Sequence, residues 1–235
     1  MADFLEAFHT ALRLIATLDP KFLGIVLLSL KVSLTAVAIA SVIGFALGGA
    51  LAVYRFPGRG WLSAIISALM GLPPVVAGLF VYLLLSSAGP LGVLQLLYTP
   101  AAMIIAQVII VTPIVAALTR QTCEDLLEEY EEQLRSLGAS STDIVRTLLW
   151  DGRFRLITAV LAGFGRAIAE VGAVMIVGGN IDHVTRTMTT AIALETSKGN
   201  VALALALGIV LLVIAFAVNA ALMGVRRLAV RLAYA

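Results

Sequence analysis

Long apolar runs recur at about five places along the chain, near 23–53, 61–86, 100–119, 156–178 and 201–224. A helix needs ~20 predominantly apolar residues to cross ~30 Å of hydrocarbon, so each run predicts a membrane span. Ahead of them, FLEAFHTALRLIATL within residues 1–20 sets apolar residues at helical spacing among His, Arg and Glu. That pattern predicts an amphipathic helix lying at the membrane interface. The stretch LEEYEEQLRSLGASSTDIVRTLLW, from Leu127 to Trp150, breaks the apolar rhythm. From Gln121 to Leu137, Leu126, Leu127, Tyr130, Leu134 and Leu137 form a helical stripe, and Glu124, Asp125, Glu128, Glu129, Glu131 and Glu132 cover the rest. Acidic residues in first turns suit a helix N-terminus, so a separate helix is expected to begin there. Gly138 would stop it as a C′ residue. Ser140 with Asp143 three positions on is a capping-box start for a second helix, along which Ile144, Val145, Leu148 and Leu149 align. The expected organisation is an amphipathic segment at 1–20 and a transmembrane domain at 21–235, with the charged segment 121–155 inside it.

Composition turns this pattern into a class. The 235 residues are 61% hydrophobic and 13% charged, against roughly 45–50% and 25% in soluble domains, and mean hydropathy is +1.05. The fold class is an all-α membrane protein. Arg55 and Arg59 separate the first two runs, and Arg120, Arg135, Arg146, Arg153 and Arg155 separate the third and fourth. Arg226, Arg227 and Arg231 follow the fifth, whereas the alternate loops hold only Arg186 and Lys198. Basic loops face the cytoplasm, which places the N-terminus outside and the C-terminus inside, as an odd number of spans requires. No basic, short-apolar, cleavable leader is expected at the N-terminus. A net charge of +2 gives nucleic acid no footing.

Several chemistries find no residues to carry them. The one cysteine, Cys123, reads as a small apolar filler. His9 and His183 lack ligand-spaced companions, so no metal site is expected. The sequence has no phosphate-binding P-loop and no H-E-x-x-H or G-x-S-x-G motif, which argues against an ATPase or a hydrolase. The absence of an internal repeat weighs against a secondary transporter of inverted halves.

The polar residues at membrane depth carry two readings each. Arg166 and Glu170, four apart, would share a helical face, either as a structural ion pair or as an anion-attracting gate. Lys31 would snorkel to the outer interface. Pro73-Pro74 is either a static kink or a discontinuity in the wall of a pore. Gly44, Gly48, Gly49, Gly163, Gly165 and Gly172 would permit close helix contact. Thr185, Arg186, Thr187, Thr189 and Thr190 would offer donors to an oxyanion or a docking protein, or would simply cap a solvated loop.

The segment around Gly138 resembles the cytoplasmic signature of the ABC-importer permeases: E-A-A, three residues, Gly, nine residues, I-x-L-P. Glu132 takes the place of the Glu and Gly138 that of the glycine, with L-G-A-S at 137–140. Gln133 and Leu134 replace the alanines, and Leu148-Leu149-Trp150-Asp151 stand where I-x-L-P would be. The closing proline is absent, which leaves the start of the next helix open. LSLKVSLTAVAIAS at 28–41, Leu72-Pro73-Pro74, RAIAEVGA from Arg166, Gly178-Gly179-Asn180 and Thr185-Arg186-Thr187 are similar to molybdate-type permeases. VGAVMIVGGN and TRTMTTAIALETSKGN are most similar to the tungstate-type branch.

The resemblance implies a type I importer core in a prokaryotic cytoplasmic membrane. A second copy of the permease, a dimer of cytoplasmic ATPase subunits and an outer oxyanion-binding protein would complete it. This chain would bind no cofactor, ATP and Mg being held by the ATPase. Residues 139–147 would seat in the ATPase, the coupling set being Glu132, Gly138, Ala139, Ser140, Ser141, Thr142, Asp143 and Ile144. Pro73, Pro74, Arg166 and Glu170 are the pore and gate candidates. The cargo would be tungstate, with molybdate or sulfate as alternatives. The rival reading is an ATP-independent channel or secondary transporter using Arg166, Glu170 and Lys31, and it gives the charged segment no task.

Overall fold

The computed structural model describes residues 2–233. Helices account for most of this stretch, and among the described residues there is no strand. They are α1 (Ala2–Thr17), α2 (Pro20–Val53), α3 (Arg59–Leu69), α4 (Pro74–Leu85), α5 (Pro100–Ser136), α6 (Ser141–Asp151), α7 (Arg153–Ile168), α8 (Gly172–Gly178), α9 (Met188–Ser197) and α10 (Val201–Ala233), with a 3₁₀ turn at Gly92–Leu94. Three helices are long and apolar enough to cross a membrane, and two bent pairs, α3 with α4 and α7 with α8, raise the number to five if each pair counts as one span. The side chains of Arg226, Arg227 and Arg231, three of the orienting residues, lie outside the described residues.

One sequence expectation is corrected by α5. No new helix begins near Gln121; α5 runs unbroken for 37 residues, about 55 Å at 1.5 Å per residue. The leucine stripe continues the phase of the apolar run before it, and nothing between Thr119 and Leu126 breaks a helix. The acidic residues therefore sit far along a continuous helix, where a dipole argument does not apply. Arginines account for them instead. Glu124 pairs with Arg59 at 2.9 Å, Asp125 with Arg155 at 3.1 Å, and Glu131 with Arg55 at 3.3 Å and Arg135 at 2.8 Å.

The chain gathers into two compact units. The first comprises residues 1–36, 73–107 and 167–218. Here α1 buries Ala11 fully, while Phe8 and Leu12 on the same face stay exposed. Helices α4 and α8 meet through small residues: a Cβ on Gly78 would stand 2.6 Å from the Ala173 Cα, and one on Gly172 would stand 2.8 Å from Val75. The second unit comprises 37–72, 108–166 and 219–235. Its α2 and α5 touch so closely that a Cβ on Gly48 would lie 2.5 Å from the Ala116 carbonyl oxygen, and one on Gly44 2.8 Å from Val115. Gly163 meets Val111 and Gly49 meets Val145 in the same way. Gly165 meets no neighbour within the chain, since nothing lies within 4 Å of where its Cβ would be.

Candidate functional site

The charged segment forms a helix–turn–helix closed at every end. After α5, Gly138 takes φ +79, a left-handed conformation that glycine adopts without a Cβ clash. The Ala139 N–H donates to the Leu134 carbonyl at 3.0 Å and the Gly138 N–H to that of Arg135 at 3.0 Å. These are the two bonds of a Schellman motif, which satisfies the orphan carbonyls of a helix end. Next, the Asp143 N–H donates to Ser140 Oγ at 3.3 Å and the Ser140 N–H to Asp143 Oδ2 at 3.2 Å. This is the reciprocal capping box at the start of α6. Hydrogen bonds from Ser140, side chain first and backbone second, hold the Asp143 carboxyl below the usual carboxylate range.

The far end of α6 answers the question of the missing proline. Gly152 alone separates α6 from α7, and its N–H closes on the Leu148 carbonyl at 2.9 Å. A Cβ there would meet that carbonyl oxygen and Thr122 Cγ2, both at 2.9 Å. A glycine thus separates the two helices one position past the place of the absent proline.

Burial sorts the coupling set. Ile144 and Leu148 are fully buried in a cluster with Ala52, Val53 and Cys123, and Leu126, Leu127, Tyr130 and Leu134 pack around it. Within the coupling set, Ile144 is the buried residue that anchors α6. Cys123 is fully buried there as apolar filler. Glu132, Gly138, Ser140, Thr142 and Asp143 are exposed, while Ala139 and Ser141 are half-buried. Thr142 Oγ1 shares a hydrogen bond of 3.0 Å with Tyr54 Oη. Leu137 and Trp150, 76% and 70% exposed, complete the outward face together with Arg146. Trp150, at the far end of α6, lies under the Arg153 guanidinium, which is 5.1 Å from the ring centroid.

Pro73 and Pro74 begin a helix and do not kink one. Pro74 is the first residue of α4, and Pro73, extended at ψ 126, precedes it. A proline at the first helical position forgoes an N–H that would be orphaned anyway. The Pro73 carbonyl then accepts from Val76 at 2.9 Å and Ala77 at 3.2 Å.

The fourth apolar run is also interrupted, which the sequence reading did not anticipate. Helix α7 ends at Ile168 and α8 starts at Gly172, so Arg166 and Glu170 are not on one helical face. Arg166 lies half-buried in the last turn of α7 and Glu170 in the gap, with 4% of its surface exposed. Glu170 Oε1 accepts from the Ala173 N–H at 3.1 Å and so caps α8. The Glu170 carbonyl accepts from Thr189 Oγ1 at 2.7 Å, and Gln107 Nε2 donates to the Ala167 carbonyl at 3.1 Å. A broken helix survives in a bilayer only when its freed backbone groups find such partners. Gln107 and Thr189 are the residues the break depends on. Gln107 had a signal in the sequence, a polar side chain in an apolar run, whereas Thr189 stood among other threonines with nothing to single it out.

In the loop after α8 the hydroxyls face inward. Thr185 is fully buried, accepts from the Ile181 N–H at 2.9 Å and donates to the Gly178 carbonyl. Thr187 is the cap of α9, in a reciprocal box with Thr190. Arg186 donates to Asp182 at 2.9 Å, and Asp182 also pairs with Lys21 at 2.9 Å. The hydrogen bond from Lys21 is the main reason the Asp182 carboxyl lies below its usual range.

Residues 26–227 match the family described as the inner membrane component of binding-protein-dependent transport systems. The chain belongs to that family. It is 43% identical over 215 residues, 92% of its length and 94% of the other, to the tungstate uptake system permease protein TupB of Peptoclostridium acidaminophilum. It is 41% identical over 202 residues to a probable anion ABC transporter permease protein of Haloferax volcanii, covering 84% and 87% of the two chains. The TupB protein of Campylobacter jejuni matches at 39% over 214 residues, 91% and 90%. As an inner membrane transport component, the chain is the membrane subunit of a system that works with a binding protein.

Proposed function

We propose that this chain is the permease subunit of an ATP-driven importer of a tetrahedral oxyanion, with tungstate as the cargo. The observation that carries this reading is its alignment, nearly end to end, with two tungstate uptake permeases. Two copies would form the path, an outer binding protein would load it, and a pair of cytoplasmic ATPase subunits would drive it. The N-terminus lies outside and the C-terminus in the cytoplasm.

Coupling follows from the geometry of the segment. The ATPase takes the face formed by Leu137, Gly138, Thr142, Asp143 and Arg146. A flexible loop there would absorb a push; α6 does not, because caps fix both its ends and Ile144 and Leu148 root it in the core. Displacement passes to α5, a single helix from Pro100 to the hinge, and to α7 across the one residue Gly152. An ATP-independent channel gives this joint no use. Glu170 also caps α8, and Arg166 and Glu170 both remain pore and gate candidates.

The test is reconstitution of the permease with its ATPase and binding protein in liposomes, followed by uptake of tungstate, molybdate and sulfate. Tungstate-loaded binding protein should stimulate both uptake and ATP hydrolysis. Uptake without ATP would sink the importer reading, and preference for sulfate or molybdate would change the cargo.

A further inference from the structure

The cleft between α3 and α5 is a site for which the coupling mechanism has no use. Its volume is about 460 Å³, and Arg59, Ser63, Ser67, Arg120 and Glu124 supply its polar wall. Glu124 lies between the two arginines. Its Oε1 accepts from Arg59 at 2.9 Å, and its Oε2 lies 3.9 Å from Arg120 Nε. Arg59 is fixed from behind by a second hydrogen bond, to the Ala52 carbonyl at 3.2 Å. Ser63, with 7% of its surface exposed, lines the same cleft.

Helix α3 has two faces of opposite character. Trp61 and Ile65, 79% and 52% exposed, form an apolar face suited to lipid. Gly60, Ser63, Ala64 and Ser67 turn a small, hydroxyl-bearing face to the cleft, at the spacing of one helical stripe. A stripe of this kind leaves room and offers hydrogen bonds without holding a ligand tightly. The local charge is two guanidinium groups against one carboxylate, a surplus of +1. Helix α3 adds its positive end, since Gly58 ahead of it provides no side-chain cap.

We infer that this cleft is a low-affinity exit site for the transported oxyanion, in which Glu124 holds the anion's place. The inference rests on the oxyanion reading above. The carboxylate occupies the two arginines while the path is empty. A tetrahedral dianion entering the cleft takes the guanidinium N–H groups in its stead, with Ser63 and Ser67 as further donors, and Glu124 reclaims them as the anion leaves. Competition from a tethered carboxylate keeps the site weak, and a site on a conducting path must release what it binds. Arg120 and Glu124 lie on the helix that ends at the coupling hinge. ATP-driven movement of α5 would therefore act directly on the arginine–carboxylate contacts.

The experiment uses the permease–ATPase complex in nanodiscs, nucleotide-free and without binding protein, and measures tungstate binding by equilibrium dialysis. Arg59→Gln or Arg120→Gln should weaken saturable binding about fivefold or more, the loss of a charge-assisted donor. Arg59→Lys and Arg120→Lys should keep part of it. Glu124→Gln should tighten binding by a similar factor and slow uptake in liposomes. Lys198→Gln, at a distance in sequence and in the other unit, should change nothing. Should the arginine variants fail to assemble with the ATPase, Glu124→Gln decides alone, because it leaves both guanidinium groups in place. Unchanged or weaker binding in Glu124→Gln overturns the inference. So does a wild-type complex that imports tungstate yet binds none under these conditions. A wild-type complex that imports no oxyanion overturns the reading beneath it.

Discussion

Gly138 stands at φ +79 with no atom within 4 Å of where a Cβ would be. Any penalty for replacing it is thus conformational, not steric. Asn and Asp tolerate the left-handed region better than other side chains, and β-branched residues tolerate it worst. Gly138→Asn should therefore retain most binding-protein-stimulated ATP hydrolysis, whereas Gly138→Val should lose most of it while the complex still assembles. Equal loss in both variants would mean that the position is read by a partner's contact and not by backbone shape. Gly48 is the opposite case. A Cβ there would meet a backbone oxygen at 2.5 Å and a backbone nitrogen at 2.9 Å, which no side-chain rotation relieves. Gly48→Ala should destabilise the subunit by about 1–3 kcal/mol, the usual range for overpacking, seen as a lowered Tm in detergent. Gly165→Ala should leave Tm unchanged or raise it slightly. Both glycines stood in the sequence as equal candidates for close packing; only their neighbours separate them.

At the scale of elements, legibility followed sequence distance. The turn at Gly138 and the Ser140–Asp143 box could be read because every participant lies within about nine residues. The break between α7 and α8 could not, because its partners Gln107 and Thr189 are far away and no proline marks the gap. The boundary expected at Gln121 failed for a related reason. Acidic residues mimic a helix start until Arg55, Arg59 and Arg155 are seen to neutralise them from remote positions. The capping box yields a pH prediction. Asp143 has a lowered pKa because Ser140 donates to its carboxylate, so the ionised cap contributes fully above the ordinary carboxylate pKa of about 4. That contribution is lost as pH falls through the lowered folded value. Hydrogen exchange of α6 amides should be faster in Asp143→Asn than in wild type by a constant factor across neutral pH. The two should converge only below about pH 4; convergence near neutrality would contradict the lowered pKa. For α8, Glu170→Gln keeps an oxygen for the Ala173 N–H, and Glu170→Ala does not. The Ala variant should have the lower Tm, with the Gln variant between it and wild type.

For the whole molecule, orientation is the property that rests most on counting charges and least on contacts. Net charge distinguishes the two sides only weakly. Arg55, Arg59, Arg135 and Arg155 on the side assigned to the cytoplasm pair with Glu131, Glu124 and Asp125. Lys21, Arg186 and Lys198 on the other pair with Asp182 and Glu195. The topological rule counts Lys and Arg with little regard to acids, and by that count the segment around Gly138 is cytoplasmic. The chain's one cysteine makes a direct test possible. Cys123 is fully buried among apolar residues, so the wild-type chain should resist a maleimide reagent even in permeabilised cells. Cys123→Ala then supplies an unreactive background with little loss of packing. On it, Ser140→Cys and His183→Cys place a thiol at exposed positions on sides that the charge rule assigns as opposite. An impermeant maleimide added to the outer face of the membrane should label His183→Cys alone and reach Ser140→Cys only after permeabilisation. The reverse pattern would place the hinge outside, where no ATPase can reach it, and would remove the importer mechanism along with the orientation.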